Sequence, residues 1–187
     1  KAGSWDECLA ATARLLAELF TEHDALLPDL KPSEAAVFTA IMEGRAGKAD
    51  LERSLLNLTR FLWRKHGVRA LVLLDEYDTP LNTAHTSGYY DEALIFFRNL
   101  LSAGLKDNPA LHKGVLTGVL RVAKDSIFTG LNNLTVYGTL VRPFCTAFGF
   151  TQPEVEALLL RAGLAARLPE VQRWYNGYLF GGQVIYN

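Results

Sequence analysis

The sequence predicts a three-layer α/β fold, in which a parallel sheet is flanked by helices. Residues 71–74 form an unbroken aliphatic run before Asp75, within a strand predicted over residues 69–74, and residues 112–119 form a second strand-like run. A helical pattern over residues 89–106 separates the two runs. Two strands that are connected through a helix usually lie parallel in the sheet, with a right-handed crossover. Because an unbroken apolar strand is typical of a covered parallel sheet, we expect residues 69–74 to be buried on both faces.

The composition indicates a soluble globular protein. The length of 187 residues suits one domain that is large enough to bury a hydrophobic core, and 49% of the residues are hydrophobic. With 19 basic and 20 acidic residues the net charge is −1, so the overall charge does not indicate a nucleic-acid-binding protein. Cys8 and Cys145 lack metal-ligand spacing, and no apolar run approaches a membrane span. We therefore expect a cytoplasmic protein with two buried thiols and no membrane partner.

The first third of the chain predicts three helices. Ser4 with Glu7 forms a capping-box pattern that places a helix start near Trp5, and further helices are expected at residues 34–43 and 50–66. Residues 44–49 superficially resemble a phosphate loop. Met42 stands where that loop requires its first glycine, and Ala49 lacks the hydroxyl that binds Mg²⁺. We therefore predict a turn between helices there.

The remaining elements follow from turn residues and periodicity. Thr79-Pro80 favours extended backbone, so residues 81–88 are predicted to be a loop. Residues 125–133 suit a loop with a helical turn, and residues 135–137 a third short strand. Helices are predicted at residues 154–162 and 171–175. A hairpin with Gly181-Gly182 at its turn is expected to follow them.

Polar side chains follow both predicted strands. Asp75, Glu76 and Asp78 come after the first strand, and Thr117 and Arg121 end the second. The carboxyl ends of parallel strands are where α/β sheets bind ligands. An apolar strand followed by Asp-Glu is the Walker B pattern of ATP hydrolases, which predicts Asp75 as the Mg²⁺ ligand and Glu76 as the residue that activates water.

Structural alternatives remain for each of these residues. Asp75 could cap the next turn, Glu76 could be a plain surface residue, and Asp78 could bond to its own turn. Thr117 suits a strand through its β propensity alone. Arg121 could form a surface ion pair.

Three stretches together resemble one family. They are residues 73–80 (LLDEYDTP), residues 116–121 with 126–133, and residues 174–178 before 184–187. The series resembles the AAA-ATPase-like domain of the P-loop NTPase superfamily, found in prokaryotic proteins that often carry a C-terminal PD-(D/E)XK-type nuclease domain. The resemblance implies ATP and Mg²⁺ as cofactors. It also implies an α/β core over residues 1–150, with a helical segment and hairpin at 151–187 in the same domain.

The resemblance implies a role for each candidate residue. Asp75 would hold Mg²⁺, Glu76 and Arg121 would be catalytic, and Thr117 would contact the γ-phosphate, with Asp78 supporting cofactor binding. The family's Gly-Lys-Ser phosphate loop is expected upstream of Lys1, so the sheet would be incomplete. We therefore expect ATPase activity in the full-length parent and little ATP affinity in these 187 residues alone.

Two other functions compete with this interpretation. A degenerate ATPase fold could serve as a protein-interaction module without turnover. Alternatively, Asp75, Glu76 and Asp78 could be the metal ligands of a nuclease. The nuclease hypothesis is the weaker one, because the strand lacks a following lysine within reach and the chain is not basic.

Overall fold

The chain folds into two compact units of mixed α/β structure. The computed structural model describes residues 2–119 and 134–186, and contacts divide the chain into Lys1–Asn133 and Leu134–Asn187. The first unit contains α1 (Trp5–Thr21), a 3-10 helix (Asp24–Asp29), α2 (Pro32–Met42), α3 (Lys48–Glu52), α4 (Ser54–His66), β1 (Ala70–Leu74), α5 (Thr79–Ser87), α6 (Tyr90–Leu105) and β2 (Leu111–Leu116). The predicted membership of both parts in one domain stays a prediction.

The helix boundaries at the start of the chain follow their capping residues. The Ser4 side chain accepts a hydrogen bond from the backbone N–H of Glu7 at 3.3 Å, which confirms the predicted start of α1. Between α2 and α3 the chain turns through Gly44, whose φ is 68°, and Gly47 precedes α3. Because a helix and not a strand comes before this turn, its structure confirms that it is no phosphate loop.

Aromatic side chains fill the core of the first unit. Phe20, Phe38 and Phe96 are fully buried, and Phe61 is nearly so. The Phe20 and Phe38 rings lie 4.7 Å apart between centroids, and Phe61 continues the cluster beside Phe38. Burying a large apolar side chain contributes roughly 1.5–3 kcal/mol, so this cluster is a main source of stability.

A buried polar bridge joins α4 to the chain just before β2. The Asn108 side-chain amide donates hydrogen bonds to Thr59 Oγ1 at 2.9 Å and to the Gly104 carbonyl at 2.8 Å. Its own oxygen accepts from the Ala110 N–H at 3.1 Å. Since each of these buried groups has a partner, the bridge fixes the entry into β2 without leaving an unsatisfied donor.

β1 and β2 pair in parallel, as the sequence predicts. Val72 lies opposite Gly114 and Leu74 opposite Leu116, with α5 and α6 in the crossover between the strands. Val72 and Leu74 pack against the core of the unit. Leu71 is 60% exposed and Leu73 72% exposed, on the opposite face.

The expectation of burial on both faces is therefore wrong. Within the described part of the chain, helices cover only the face of the sheet that carries Val72 and Leu74. Half-buried and exposed residues therefore alternate along β1, and along β2 from Lys113 onward. A two-stranded parallel sheet is shown; a three-layer arrangement is not.

The segment after the central strand also differs from its prediction. Residues predicted to be a loop form α5, which begins at Thr79. Pro80 occupies the first turn of this helix, where its missing N–H costs nothing and its fixed φ suits the helix. Leu81 and Ala84 are buried and anchor α5 to the core. Tertiary packing thus outweighs the extended preference of Thr79-Pro80.

The second unit contains a short helical part and a hairpin. It comprises α7 (Gln152–Arg161), a 3-10 helix (Ala165–Arg167), α8 (Leu168–Tyr175), β3 (Asn176–Phe180) and β4 (Gln183–Tyr186). The strands are antiparallel, and the turn between them is formed by Gly181 and Gly182 with φ values of 55° and 83°, which confirms the predicted hairpin. Residues 135–137 are not a strand, so that prediction is wrong. None of the helices in the described ranges has the length and apolar character to cross a membrane.

Candidate functional site

The candidate site lies where β1 and β2 end. Asp75 and Glu76 follow β1 directly, Thr117 follows β2, and all three residues are exposed. The Thr117 hydroxyl donates a hydrogen bond to Asp75 Oδ1. The backbone N–H of Glu76 donates to the same oxygen at 3.0 Å. The structure therefore brings together three of the predicted site residues, from two neighbouring strand ends.

Backbone hydrogen bonds continue beyond the strands and fasten these ends to each other. The Thr117 N–H donates to the Leu74 carbonyl at 2.9 Å, and the Tyr77 N–H donates to the Thr117 carbonyl at 3.1 Å. The backbone N–H, the backbone carbonyl and the side-chain hydroxyl of Thr117 thus all form hydrogen bonds. Its position relative to Asp75 is set by the sheet and does not depend on a free loop.

Glu76 has an unusual backbone conformation. Its φ is 51°, in the left-handed region that non-glycine residues rarely adopt. Its carbonyl accepts the Thr79 N–H at 3.0 Å, and its carboxylate accepts the Thr79 hydroxyl at 3.4 Å. Such a conformation costs roughly 1–2 kcal/mol, and residues of this kind cluster at functional sites.

Asp78 is placed beneath the site. Its side chain is 1% exposed, and its Oδ2 accepts a hydrogen bond from the Asn82 side-chain amide at 3.2 Å. Asp75 and Glu76 face solvent, so the three carboxylates are not presented together as a set of metal ligands would be. The predicted cofactor-binding role of Asp78 stays a prediction.

Two predictions fall outside the described residues. They are the catalytic role of Arg121 and the loop with a helical turn at residues 125–133. Sequence reasoning missed Asn82, Thr79 and Gly118, which contact the candidate residues. Only Thr79 offered a signal, since its hydroxyl lies three residues after Glu76.

Asp75 has the oxygen chemistry that Mg²⁺ requires. Magnesium binds one or two carboxylates and completes its shell with water and phosphate oxygens. Hydrogen bonds from Thr117 and Glu76 hold Oδ1, and no described residue donates to Oδ2. The described residues contain no group of three His, Cys, Asp or Glu side chains that could enclose a metal alone. The site therefore fits a metal that arrives with its own phosphate ligands.

The clearest pKa shifts belong to groups that stabilise the helices. Hydrogen bonds from Arg64 and from the Lys31 N–H lower the pKa of Glu34 to about 2. These contacts join α2 to α4, with the Arg64 guanidinium 2.8 and 3.1 Å from the carboxylate oxygens. Burial raises the pKa of the Cys8 thiol, which lies in the core. Both groups have structural roles.

Comparison with known proteins identifies the family. The sequence model of a family described as predicted AAA-ATPase matches residues 9–128. Over 123 residues the chain is 35% identical to a protein of Azotobacter chroococcum mcd 1 named "Uncharacterized protein in vnfD 5'region". The aligned part is 65% of this chain and 23% of that relative. No solved structure matches the chain significantly.

The matched range includes both strands and all five candidate residues, Asp75, Glu76, Asp78, Thr117 and Arg121. It spans more than half of the sequence and confirms the resemblance on which the candidate roles depend. The chain belongs to the AAA-ATPase-like family.

Proposed function

We propose that this chain is part of an ATP-binding and ATP-hydrolysing domain of the three-layer P-loop type. The main support for this proposal is the pair of exposed carboxylates, Asp75 and Glu76, at the end of β1. Asp75 accepts a hydrogen bond from Thr117 at the end of β2. Ligands of parallel α/β sheets bind at this edge. Family membership supports ATP as the ligand, with Mg²⁺ as its metal.

Asp75 is the proposed Mg²⁺ ligand. The Thr117 hydroxyl and the Glu76 N–H fix one carboxylate oxygen, which orients the side chain and leaves the other oxygen for the metal. Hydrogen-bonded partners of this kind orient metal ligands and raise metal affinity. When bound there, Mg²⁺ would supply positive charge that stabilises the charge developing on the phosphate oxygens during phosphoryl transfer.

Glu76 is the proposed base that accepts a proton from the attacking water. Its exposed carboxylate accepts the Thr79 hydroxyl, and its backbone, which is in the left-handed region, directly follows Asp75. Thr117 and Arg121 are proposed to contact the transferred phosphate, and Asp78 to support the site from below. A general base typically contributes about 10²–10⁴-fold to the rate.

The test compares Glu76→Gln with the unchanged protein in its full-length form. We expect Glu76→Gln to bind ATP with Mg²⁺ in equilibrium titration and to lose hydrolysis by about a hundredfold or more. Glu18→Gln is the matched control, since Glu18 is an exposed glutamate on α1. It should hydrolyse ATP at the normal rate. Asp75→Asn should weaken the Mg²⁺ dependence of binding.

Other outcomes would support the competing functions. A full-length protein that binds no nucleotide would favour an interaction module. Metal-dependent DNA cleavage that Asp75→Asn abolishes would favour a nuclease centred on these carboxylates. If hydrolysis is found, we further propose that it drives a conformational change in the cytoplasmic parent protein, with an attached PD-(D/E)XK-type nuclease domain as the proposed recipient. Nuclease activity that requires ATP and disappears in Glu76→Gln would support this coupling.

A further inference from the structure

Gly118 lies in close contact with the segment that follows β1. A Cβ atom built on Gly118 would be 2.6 Å from Asp78 Oδ1 and 2.8 Å from Tyr77 Cε1, both far below a normal contact distance. The φ angle of Gly118 is not in the left-handed region. The requirement for glycine therefore arises from the close approach of two segments and not from a special backbone conformation.

Both neighbours of Gly118 are held by other contacts. Asp78 is 1% exposed and its carboxylate bonds to Asn82 on α5. Tyr77 packs against the core, and its N–H donates to the Thr117 carbonyl. Although Gly118 itself is exposed, an added methyl group would overlap Asp78 Oδ1 and the Tyr77 ring, so at least one of these side chains would have to shift. A side chain at residue 118 would therefore push the two segments apart.

The displaced segments are those that carry the candidate site. Thr117 precedes Gly118 and bonds to Asp75, while Tyr77 and Asp78 follow Glu76 directly. A shift at Gly118 would therefore act on the distance between Asp75 and Thr117.

We propose that Tyr77, Asp78 and Gly118, together called the strand-end contact, position Asp75 and Glu76 against Thr117. Asp78 is then a positioning residue whose buried carboxylate acts through Asn82 and Gly118. This inference rests on the proposed function for its effect on turnover. Its effect on the structure, which is the separation of the strand ends, is independent of ATP.

The test is Gly118→Ala in the full-length protein, with two measurements. Hydrogen–deuterium exchange at the amides of Tyr77 and Thr117 should become about tenfold faster, while the amides of α6 stay protected. The kcat for ATP should fall by about tenfold or more with KM changed less than about threefold, because misplaced catalytic groups slow chemistry more than binding.

Gly47→Ala is the matched control, because Gly47 has a φ of −72° and no atom within 4 Å of an added Cβ. It should leave exchange and turnover unchanged. If Gly118→Ala does not fold, Asn82→Ala takes its place, since it removes the amide that donates to the buried Asp78 carboxylate. Exchange and kcat equal to those of Gly47→Ala would overturn the inference. If the unchanged protein hydrolyses no ATP, the proposed function fails, and the exchange measurement alone decides on the strand-end contact.

Discussion

The left-handed backbone of Glu76 can be tested by comparing two substitutions at this position. Glu76→Gly and Glu76→Ala both remove the carboxylate and its contact with Thr79. They differ in that alanine keeps the Cβ that makes a φ of 51° unfavourable, whereas glycine does not. Because Glu76 is exposed, neither substitution creates a cavity. The difference in stability between the two variants therefore reports on backbone strain.

The expected difference follows from two opposing contributions. A left-handed conformation costs a residue with a Cβ roughly 1–2 kcal/mol. Glycine loses more chain entropy on folding, at a cost of roughly 0.5–1 kcal/mol. The strain is the larger contribution, so Glu76→Gly should be more stable than Glu76→Ala by about 0.5–1 kcal/mol. In a domain of this size that difference corresponds to a few degrees in Tm.

Chemical denaturation with equal m values provides the measurement. The matched comparison is Arg14→Gly with Arg14→Ala, at an exposed position in the middle of α1. There the order should be reversed, with glycine less stable by about 1 kcal/mol because the backbone is helical. If glycine is the less stable residue at both positions, Glu76 carries no left-handed strain and the reasoning is refuted.

Two further predictions concern contacts that stabilise the first unit. Asn108→Ala removes three hydrogen bonds and leaves their buried partners unsatisfied, so it should destabilise the protein by about 2–3 kcal/mol. Thr59→Val should destabilise it by about 1 kcal/mol. A double-mutant cycle in urea measures their coupling, and strict additivity would contradict the bridge. Glu34 has a pKa lowered by Arg64 to about 2, against about 4.3 in the unfolded chain. Its contribution is therefore fully present above about pH 4.3 and is lost as the pH falls through about 2. The unchanged protein should exceed Glu34→Gln in unfolding free energy by less than about 1 kcal/mol at pH 7, because the pair is solvent-accessible, and the difference should vanish near pH 2.

The sequence was sufficient to predict the pairing of the two strands and the meeting of their ends. An apolar run, a helix and a second apolar run admit few topologies, and the parallel one places Asp75 beside Thr117. Their mutual hydrogen bond then follows from the register, in which Leu74 lies opposite Leu116. These features depend on strong periodic signals and on general rules of chain connection.

Other features depend on tertiary contacts that have no local signal. Nothing in the side chain of Glu76 predicts a left-handed φ, and a carboxylate such as Asp78 is normally expected at the surface. The sequence does not predict helix α5, because the residue before a proline favours extended backbone, although proline also suits a first helical turn. The exposure of Leu71 was missed because an apolar strand does not reveal how many of its faces helices cover.

The uncovered face of the sheet affects how the isolated polypeptide behaves in concentrated solution. Leu71 and Leu73 expose two isobutyl groups on the same face of β1, and β1 pairs only with β2 among the described strands. The exposed apolar side chains favour self-association, as does the strand edge to which no described strand pairs. Lysine or threonine in place of these two leucines would leave the inward side chains of Val72 and Leu74 intact. The colloidal stability of residues 1–187 can thus be improved without changing the core.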